Sequence, residues 1–521
     1  MNLFRPCVLT MAPPFISRTD TLRLLVAIIL LRSPSFFCNL VDQDEAHFLL
    51  ISRMMFSGGI PFVDAVDKKP LFCYLFYSPA SLFGFNMAPL RVIGVLWVLV
   101  TCLVLCRAAT AWSERYDVGL AAAWLYALIS SCNNLAIHTE LMMNLPTALA
   151  LYFFVRSSQG ARYLPYVGMG FSISIATLFR HQAGILLFAL IPVIFWQMRT
   201  RHQSLGRSLR YILVLFLCFL LPWLTCACFY AVIGHWAEFL EWNVIRNFIY
   251  VAKAGSVGYF QRFAKSFLMY VVVAAPVPWI LAMREATLKM NPVRAGLLLS
   301  LGLFWIPVSM GGRFWSQYFV QFAAPLALVA APQAADLRRR WGELRPGFQK
   351  LLAIGTGLPV IIYLTVGYAR LVTDAFPYPS QEVRTVVLGM FIQRNTSPEE
   401  RIQVWGYIPP VYVVAKRLPG TRFISTAVQY GDIEPNHIPQ DFNPANALSL
   451  RDVDLMVADL QRNRPALIID TAPMNLNAWR RFPMETAPLI MDYVRENYVV
   501  LPNTTGARIY SLRGRNTVSS P

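Results

Sequence analysis

Charge is scarce in this chain. Asp, Glu, Lys and Arg make up 14% of its 521 residues, where a soluble domain carries about 25%. With 56% hydrophobic residues and a mean hydropathy of +0.47, that scarcity excludes an ordinary soluble enzyme and a disordered chain alike. Acidic charge is scarcer than basic: 28 Asp plus Glu against 46 Lys plus Arg, a balance of +18. In a soluble protein such an excess points to nucleic acid. Here it fits basic residues at the cytoplasmic ends of membrane helices, facing anionic lipid, and no nucleic-acid partner is expected. Cysteine is absent beyond Cys228, so the C-terminal part folds without disulfides. The cysteines upstream lie mostly in apolar runs, where they act as small hydrophobes. Cys102 and Cys106 have helical i,i+4 spacing, but no histidine or second pair stands near them to complete a metal site. No Gly-rich phosphate loop and no dinucleotide fingerprint occur. No repeat of fixed period occurs either. The first twenty residues lack a small-residue cleavage site after a compact apolar core, so the run that follows reads as a retained membrane helix.

Long apolar runs, by contrast, are abundant. A span needs roughly 17–25 residues. Candidates recur at 22–40, 88–111, 118–137, 141–155, 163–179, 183–198, 211–233, 266–283, 295–310, 318–335 and 351–369, which predicts about 11 transmembrane helices. With the N-terminus inside, the five inside loops hold sixteen basic residues, from Arg107 to Lys350. The outside loops hold nine over about twice the length, among them Lys68, Lys69, Arg180 and Arg313. The positive-inside rule thus predicts a cytoplasmic N-terminus, and an odd helix count puts everything after residue 369 outside. From 370 to 521 the apolar runs shrink to strand length: Ile402–Tyr407, Arg422–Ser425, Ala466–Asp470, Tyr498–Leu501 and Arg508–Leu512. Helical patterns, Asp452–Arg462 and Met484–Tyr498, lie between them. The expectation is a membrane domain over 1–369 and a small extracytoplasmic α/β domain over 370–521.

The long first outer loop, 41–87, concentrates the polar chemistry. Asp42, Asp44 and Glu45 follow directly on a membrane helix, where carboxylates are costly to hold. An amphipathic stretch, Ala46–Phe56, leads to a turn at Gly58–Asp64. Then come Asp67-Lys68-Lys69-Pro70 and an aromatic run, Phe72–Tyr77, that reads as an interfacial helix. A phosphorylated lipid would place its phosphate at this depth. Lysine can hold that phosphate, and a carboxylate beside it can take a proton from an acceptor hydroxyl. A solvated acidic loop with snorkelling lysines explains the same pattern.

The string DQDEAHFLLISRMMFSGGIPFVDAVDKKPLFCYLF resembles the first outer loop of the GT-C membrane glycosyltransferases. It is similar above all to bacterial relatives of the dolichyl-phosphate-mannose protein mannosyltransferases and the lipid A aminoarabinose transferases. The family pattern is carried by Asp44-Glu45-Ala46, by Gly58-Gly59-Ile60-Pro61-Phe62-Val63-Asp64, by Lys69-Pro70-Leu71 and by Ala88-Pro89-Leu90-Arg91. One proline stands where two are usual, and two residues instead of one precede the arginine. The second acid that the family places between its third and fourth helices corresponds to Glu140, in Ile137-His138-Thr139-Glu140-Leu141. In Gly311-Gly312-Arg313-Phe314-Trp315-Ser316-Gln317-Tyr318-Phe319, Gln317 replaces a histidine often found in the family.

The resemblance implies transfer of a sugar from a polyprenyl-phosphate-linked donor to a hydroxyl of a glycan, lipid or protein acceptor, with inversion, at the outer face of a bacterial inner membrane. Asp44 is then the general base and Glu45 a supporting carboxylate, since Asp44 could itself cap the helix that follows. Glu140 completes an acidic pair with Asp44 that would bind a divalent metal cation or orient the acceptor. Alternatively, Glu140 pairs with His138 or Arg180. Lys69, Arg313 and Arg180 are the candidates for the donor phosphate. The competing readings are a transporter or flippase of lipid-linked sugars, which would put ionisable residues mid-membrane in two related halves, and an anchored interaction scaffold.

Overall fold

The structure, a computed structural model, describes residues 16–132, 135–160, 162–252, 258–373, 383–433, 435, 438 and 442–515. The segment before Ile16, on which the reading of the N-terminus partly rests, and Lys253 of the outside loops lie outside these residues, as does the stretch 374–382 just past the expected domain boundary.

Each of the eleven apolar runs overlaps helix, although 38–40 and 135–137, at the ends of two of them, are not helical. The starts follow from local chemistry. The Ser17 hydroxyl accepts from Asp20 N–H at the head of α1 (Arg18–Arg32), and Asn291 does the same for Arg294. Proline stands in the first turn of Pro276–Ala286 and of Pro292–Leu303, where its missing N–H costs nothing. The count of spans differs from the expectation. Among the described residues six helices are long and apolar enough to cross a membrane, or seven if a bent pair is one span. Breaks account for the shortfall. The run from 22 is cut at Arg32, where a 3-10 turn, Ser33–Phe37, takes over. The run from 266 is bent by 88° between Tyr259–Val273 and Pro276–Ala286. Tyr116–Cys132 and Leu164–Phe179 are apolar but short.

Ser316–Arg339 is the central element, 89% buried in its apolar window, and packs on Tyr116–Cys132, Pro276–Ala286 and Pro292–Leu303. The adjacent hairpin of α4 (Ala88–Ser113) and Tyr116–Cys132 is tight. A Cβ on Gly119 would come within 2.1 Å of Thr110 Oγ1 and 2.6 Å of the Cys106 carbonyl. Small residues let apolar helices approach in this way. Pro346–Thr373 lies on the outside of the bundle, its apolar window wholly unburied.

The segment 41–87 folds into two helices, α2 (Gln43–Phe56) and α3 (Leu71–Ser81), packed on each other. Phe48, Tyr74 and Tyr77 are buried between them, and Phe72 and Phe76 of α3 meet Phe179 edge-on at 5.9 Å. The intervening turn is fixed by Gly58 at φ +87° and by Phe62 at φ +68°, a left-handed conformation that a non-glycine adopts at a cost. The Phe62 ring is fully buried against Tyr74, Tyr230 and Phe239.

Beyond Val383 lies a mixed four-stranded sheet, β1 (Ile402–Trp405), β2 (Leu467–Asp470), β3 (Tyr498–Leu501) and β4 (Arg508–Leu512), in the order β1-β2-β4-β3. β1 and β2 are parallel and the other pairs antiparallel. Helices Leu450–Asn463 and Pro488–Asn497 fall where the sequence patterns put them. The expected strand at Arg422–Ser425 is absent because its polar groups have other partners. The Arg422 carbonyl accepts from Val66 N–H of the 41–87 loop at 3.0 Å, and its own N–H donates to Asp459.

Candidate active site

Where the 41–87 loop meets the sheet domain, a cavity of about 480 Å³ opens. Its floor comes from the 41–87 loop and the 138–140 turn: Asp42, Asp44, Asp67, Lys69 and Glu140. Gln317 and Tyr318 form part of its wall, and Tyr407, Asp432 and Asn477 of the sheet domain its roof.

The start of α2 sorts the three acids of the sequence. Asp42, not Asp44, is the cap: its side chain accepts from Glu45 N–H at 3.1 Å. Asp44 is left without a hydrogen bond among the described residues. It is 44% exposed, into the cavity, with protein on every side. His138 stands between the two aspartates, Nε2 2.5 Å from Asp42 and Nδ1 3.6 Å from Asp44. Burial opposes a charge on His138, but Asp42, Asp44 and Glu140 outweigh it and push the imidazolium pKa up to about 9. Burial and the neighbouring Asp42 raise Asp44 above the usual carboxylate range, partly opposed by His138 and Lys69. Burial would also raise Asp42, but His138 holds it below that range.

Glu45 turns away from this chemistry. Fully buried and absent from the cavity lining, it receives Val41 N–H at 2.7 Å, Ile137 N–H at 2.9 Å and both guanidinium nitrogens of Arg91. The extra residue before Arg91 does not prevent this pair. Glu45 therefore ties the start of α2 to α4 and to the 137–140 turn, a supporting carboxylate at the helix start that does not reach the cavity.

Lys69 lines the cavity and is the cationic centre of the floor. Burial and nearby Arg180 disfavour its charge, yet Asp44, Tyr318 and Glu140 outweigh them, and its pKa lies above the ordinary lysine value. Glu140 is buried and paired with Arg180 at 2.8 Å. Burial would raise its pKa, but Arg180, His138 and Lys69 hold it low. Of the two partners the sequence offered Glu140, Arg180 is thus the one in contact. Arg180 also donates to Thr139 at 3.1 Å and lies over the Tyr318 ring, and it is not itself part of the cavity lining. Arg313 stacks on Tyr250 at 3.6 Å, one ring removed from the cavity that Tyr250 lines.

Of the two carboxylates expected to hold a divalent cation, Asp44 and Glu140, a guanidinium already engages Glu140. Among the described residues no three His, Cys, Asp or Glu side chains are placed to hold a metal ion. This donor set does not fit a resident metal.

Three contributions escaped the sequence reading. Asp67 accepts from Tyr74 O–H at 3.1 Å and from Lys68 N–H, with burial outweighed by His47 and the lysines so that it stays ionised. Lys68 points to the sheet domain, 2.9 Å from buried Asp432. Arg246 joins that contact, bridging Asp432, Asp452 and Glu241. Only the Asp67-Lys68 dipeptide was visible as a local signal; Asp432, the partner of Lys68, lies 364 residues away, and Arg246 reaches Asp432 and Asp452 across 186 and 206.

A family model described as dolichyl-phosphate-mannose-protein mannosyltransferase matches residues 67–226. No curated protein matches the chain. Among solved structures, ArnT from Cupriavidus metallidurans bound to undecaprenyl phosphate is similar at a TM-score of 0.56 and 15% identity, covering 95% of this chain and 98% of that one. Its apo state gives 0.56 and 17%, with the same coverage. The Archaeoglobus fulgidus oligosaccharyltransferase in complex with Zn and sulfate gives 0.51 and 13%, covering 95% and 73%. The GT-C-like architecture expected from the first outer loop is thereby borne out: the chain is a multi-pass α-helical membrane protein with the fold of ArnT, and over residues 67–226 it is similar to the dolichyl-phosphate-mannose-protein mannosyltransferase family.

Proposed function

We propose that the protein is a membrane glycosyltransferase that moves a sugar from a polyprenyl-phosphate-linked donor to an acceptor hydroxyl, with inversion, at the extracytoplasmic face. One observation carries the reading. A carboxylate with no hydrogen bond among the described residues, Asp44, and a half-buried lysine held cationic, Lys69, line the same cavity. The family match begins at Asp67, and the similar ArnT structure holds undecaprenyl phosphate.

In this reading Lys69 binds the donor phosphate as a point charge. Asp44 takes the proton of the acceptor hydroxyl as that oxygen attacks the anomeric carbon. The bond from that carbon to the phosphate oxygen breaks, and its electron pair leaves with the lipid phosphate, beside Lys69. Attack from the face opposite the phosphate inverts the centre. Phosphate leaves without a protonating acid, so one base suffices, unlike the acid and base pair of an inverting glycosidase. Burial raises the proton affinity of Asp44 toward the working pH, which suits a general base. Glu140, through Arg180, holds the wall against which Tyr318 packs.

The test is incubation of purified protein with labelled polyprenyl-phosphate hexoses and pentoses, following release of sugar-free polyprenyl phosphate. Consumption of one donor by the wild type and not by Asp44→Asn supports the proposal. Movement of intact donor across vesicles without consumption would establish the flippase reading instead. An alkaline phosphatase fused after the sheet domain should be active; an inactive fusion would reverse the assigned face.

A further inference from the structure

A second cavity, of about 310 Å³, lies within the membrane bundle and shares no lining residue with the first. Its walls are Tyr116–Cys132, Pro276–Ala286, Ser316–Arg339 and Pro346–Thr373. The 88° break between Tyr259–Val273 and Pro276–Ala286 falls at one wall, where Ala274 and Ala275 line the space. Pro346–Thr373 closes it from the outside of the bundle. That helix meets its neighbour at a small residue: a Cβ on Gly355 would stand 3.0 Å from Val277. The lining is apolar except at one end. Thr356 carries the one wall hydroxyl, and it is spent on the Leu352 carbonyl at 2.7 Å. The remaining polar side chains are Arg338, in the last turn of Ser316–Arg339, and Trp341, in the 3-10 turn that follows. Neither has a side-chain hydrogen bond or ion pair among the described residues. Nearby acids are already engaged: Asp117 by Arg115 and Arg339, and Asp336 by Arg115.

An apolar slot that ends in a free guanidinium and an indole fits an amphipath with a hydrocarbon chain and an anionic head. Arginine holds a phosphate through paired N–H donors, and tryptophan settles at headgroup level. A sugar or nucleotide would find no partner along the walls. A neutral-headed lipid would leave Arg338 uncompensated. So would the tail of a polyprenyl donor reaching down from the active cavity, since it would set hydrocarbon against that charge. Pro346–Thr373 reaches the active cavity only at Arg370, about three helical turns, or about 15 Å, beyond Val360 of the slot. In the topology expected from the charges, the 338–350 connection faces the cytoplasm, and the cytoplasmic leaflet is the one rich in anionic lipid. We infer that this cavity holds an acyl chain of one anionic phospholipid of the cytoplasmic leaflet, with its phosphate on Arg338 and its glycerol at the level of Trp341. The inference goes beyond the transfer reaction and does not rest on it. The bound lipid fastens Pro346–Thr373, whose far end lines the active cavity, to the rest of the bundle.

The experiment titrates the full-length protein, stripped of lipid in detergent, with phosphatidylglycerol and with phosphatidylcholine of the same acyl chains, counting adducts by native mass spectrometry. The wild type should bind one phosphatidylglycerol roughly tenfold or more tightly than phosphatidylcholine, as expected for a charged hydrogen bond. That lipid should also raise its melting temperature. Arg338→Gln should bring phosphatidylglycerol down to the phosphatidylcholine level. Arg345→Gln, in the same connection but outside the cavity lining, should leave the preference within about twofold. Ala353→Phe places a ring in the slot and should abolish tight binding although Arg338 remains. If Ala353→Phe does not elute as a folded monomer, Ala334→Leu is read in the same way. Equal affinity of the wild type for the two lipids would overturn the site. Equal losses in Arg338→Gln and Arg345→Gln would reduce it to a generic basic surface, and unchanged binding with the slot filled would also refute it. Displacement of the bound phosphatidylglycerol by equimolar polyprenyl phosphate would make the cavity a groove for the donor tail and overturn the assignment.

Discussion

Two neighbouring acids, Asp44 and Glu45, should respond to neutralisation in opposite ways, and the reason is geometric. Glu45 is fully buried and holds Arg91, itself 1% exposed, together with two backbone N–H groups. Glu45→Gln keeps the volume but replaces one acceptor oxygen with an N–H donor that faces other donors, and it leaves the Arg91 charge uncompensated. Removing one partner of a buried ion pair costs roughly 3–5 kcal/mol, a large part of a total stability of about 5–15 kcal/mol. Asp44→Asn removes no cap, because Asp42 performs that task, and its side chain opens into the cavity. Its expected cost in stability is within about 1 kcal/mol, while loss of the base should reduce transfer roughly a hundredfold or more. The assay pairs thermal unfolding, followed by monomer elution in detergent, with transfer rate per folded molecule. Glu45→Gln should lose several degrees of melting temperature and retain activity in its folded fraction. Asp44→Asn should melt like the wild type and be inactive. A stable, inactive Glu45→Gln would refute the anchor reading, and an Asp44→Asn enzyme keeping more than about a tenth of the rate would remove Asp44 as the base.

The two lysines of the loop should also separate: Lys69→Ala should raise the apparent KM for the donor about tenfold or more, as expected for a lost charged hydrogen bond, whereas Lys68→Ala should mainly lower the melting temperature through the lost Asp432 contact. Equal KM effects would mean a generic basic surface. His138 has a folded pKa of about 9 against an ordinary value of 6.5, so its contribution to stability is complete below pH 6.5 and lost as pH rises through 9. His138→Gln should therefore abolish a fall in melting temperature between pH 7 and 9.5, and a wild type whose melting is flat over that range would contradict the Asp42–His138–Asp44 arrangement. Burial of Asp470 in the sheet domain pushes its carboxyl up to about 6. A folded pKa raised above the unfolded value gives stability that is present below pH 3.8 and lost as pH rises through 6. Asp470→Asn should accordingly raise the melting temperature at pH 8 and leave it unchanged near pH 4; no gain at pH 8 would refute this.

Much of the helical layout was legible because hydrophobic runs are local. The eleven runs all overlap helix, and β3 and β4 end where their apolar pattern ends. The span count was not legible, since a bend at Pro276 or a 3-10 turn after Arg32 changes the length of a helix without changing hydropathy. At the candidate site, Asp44, Lys69 and Glu140 stood out by motif and do line one cavity. Their division of labour did not. The cap fell to Asp42 because its extended backbone points the carboxylate at Glu45 N–H, a choice two residues wide that composition cannot make. The pairing of Glu45 with Arg91 and of Lys68 with Asp432 spans 46 and 364 residues, and no local periodicity encodes such contacts. The missing strand at Arg422–Ser425 has the same cause, a carbonyl claimed by Val66.

That contact between Val66 and Arg422, with the Lys68–Asp432 and Arg246 bridges beside it, means that the loop around Val66–Lys69 and the sheet domain share one set of polar partners. The loop's shape is written partly in a segment more than 350 residues downstream. The two should therefore fold correctly only as a matched pair. A chimera carrying a relative's sheet domain on this membrane bundle should elute as aggregate or bind donor poorly when residues 58–70 are left native, and recover when those residues travel with the graft. Recovery without them would show that the interlock is dispensable.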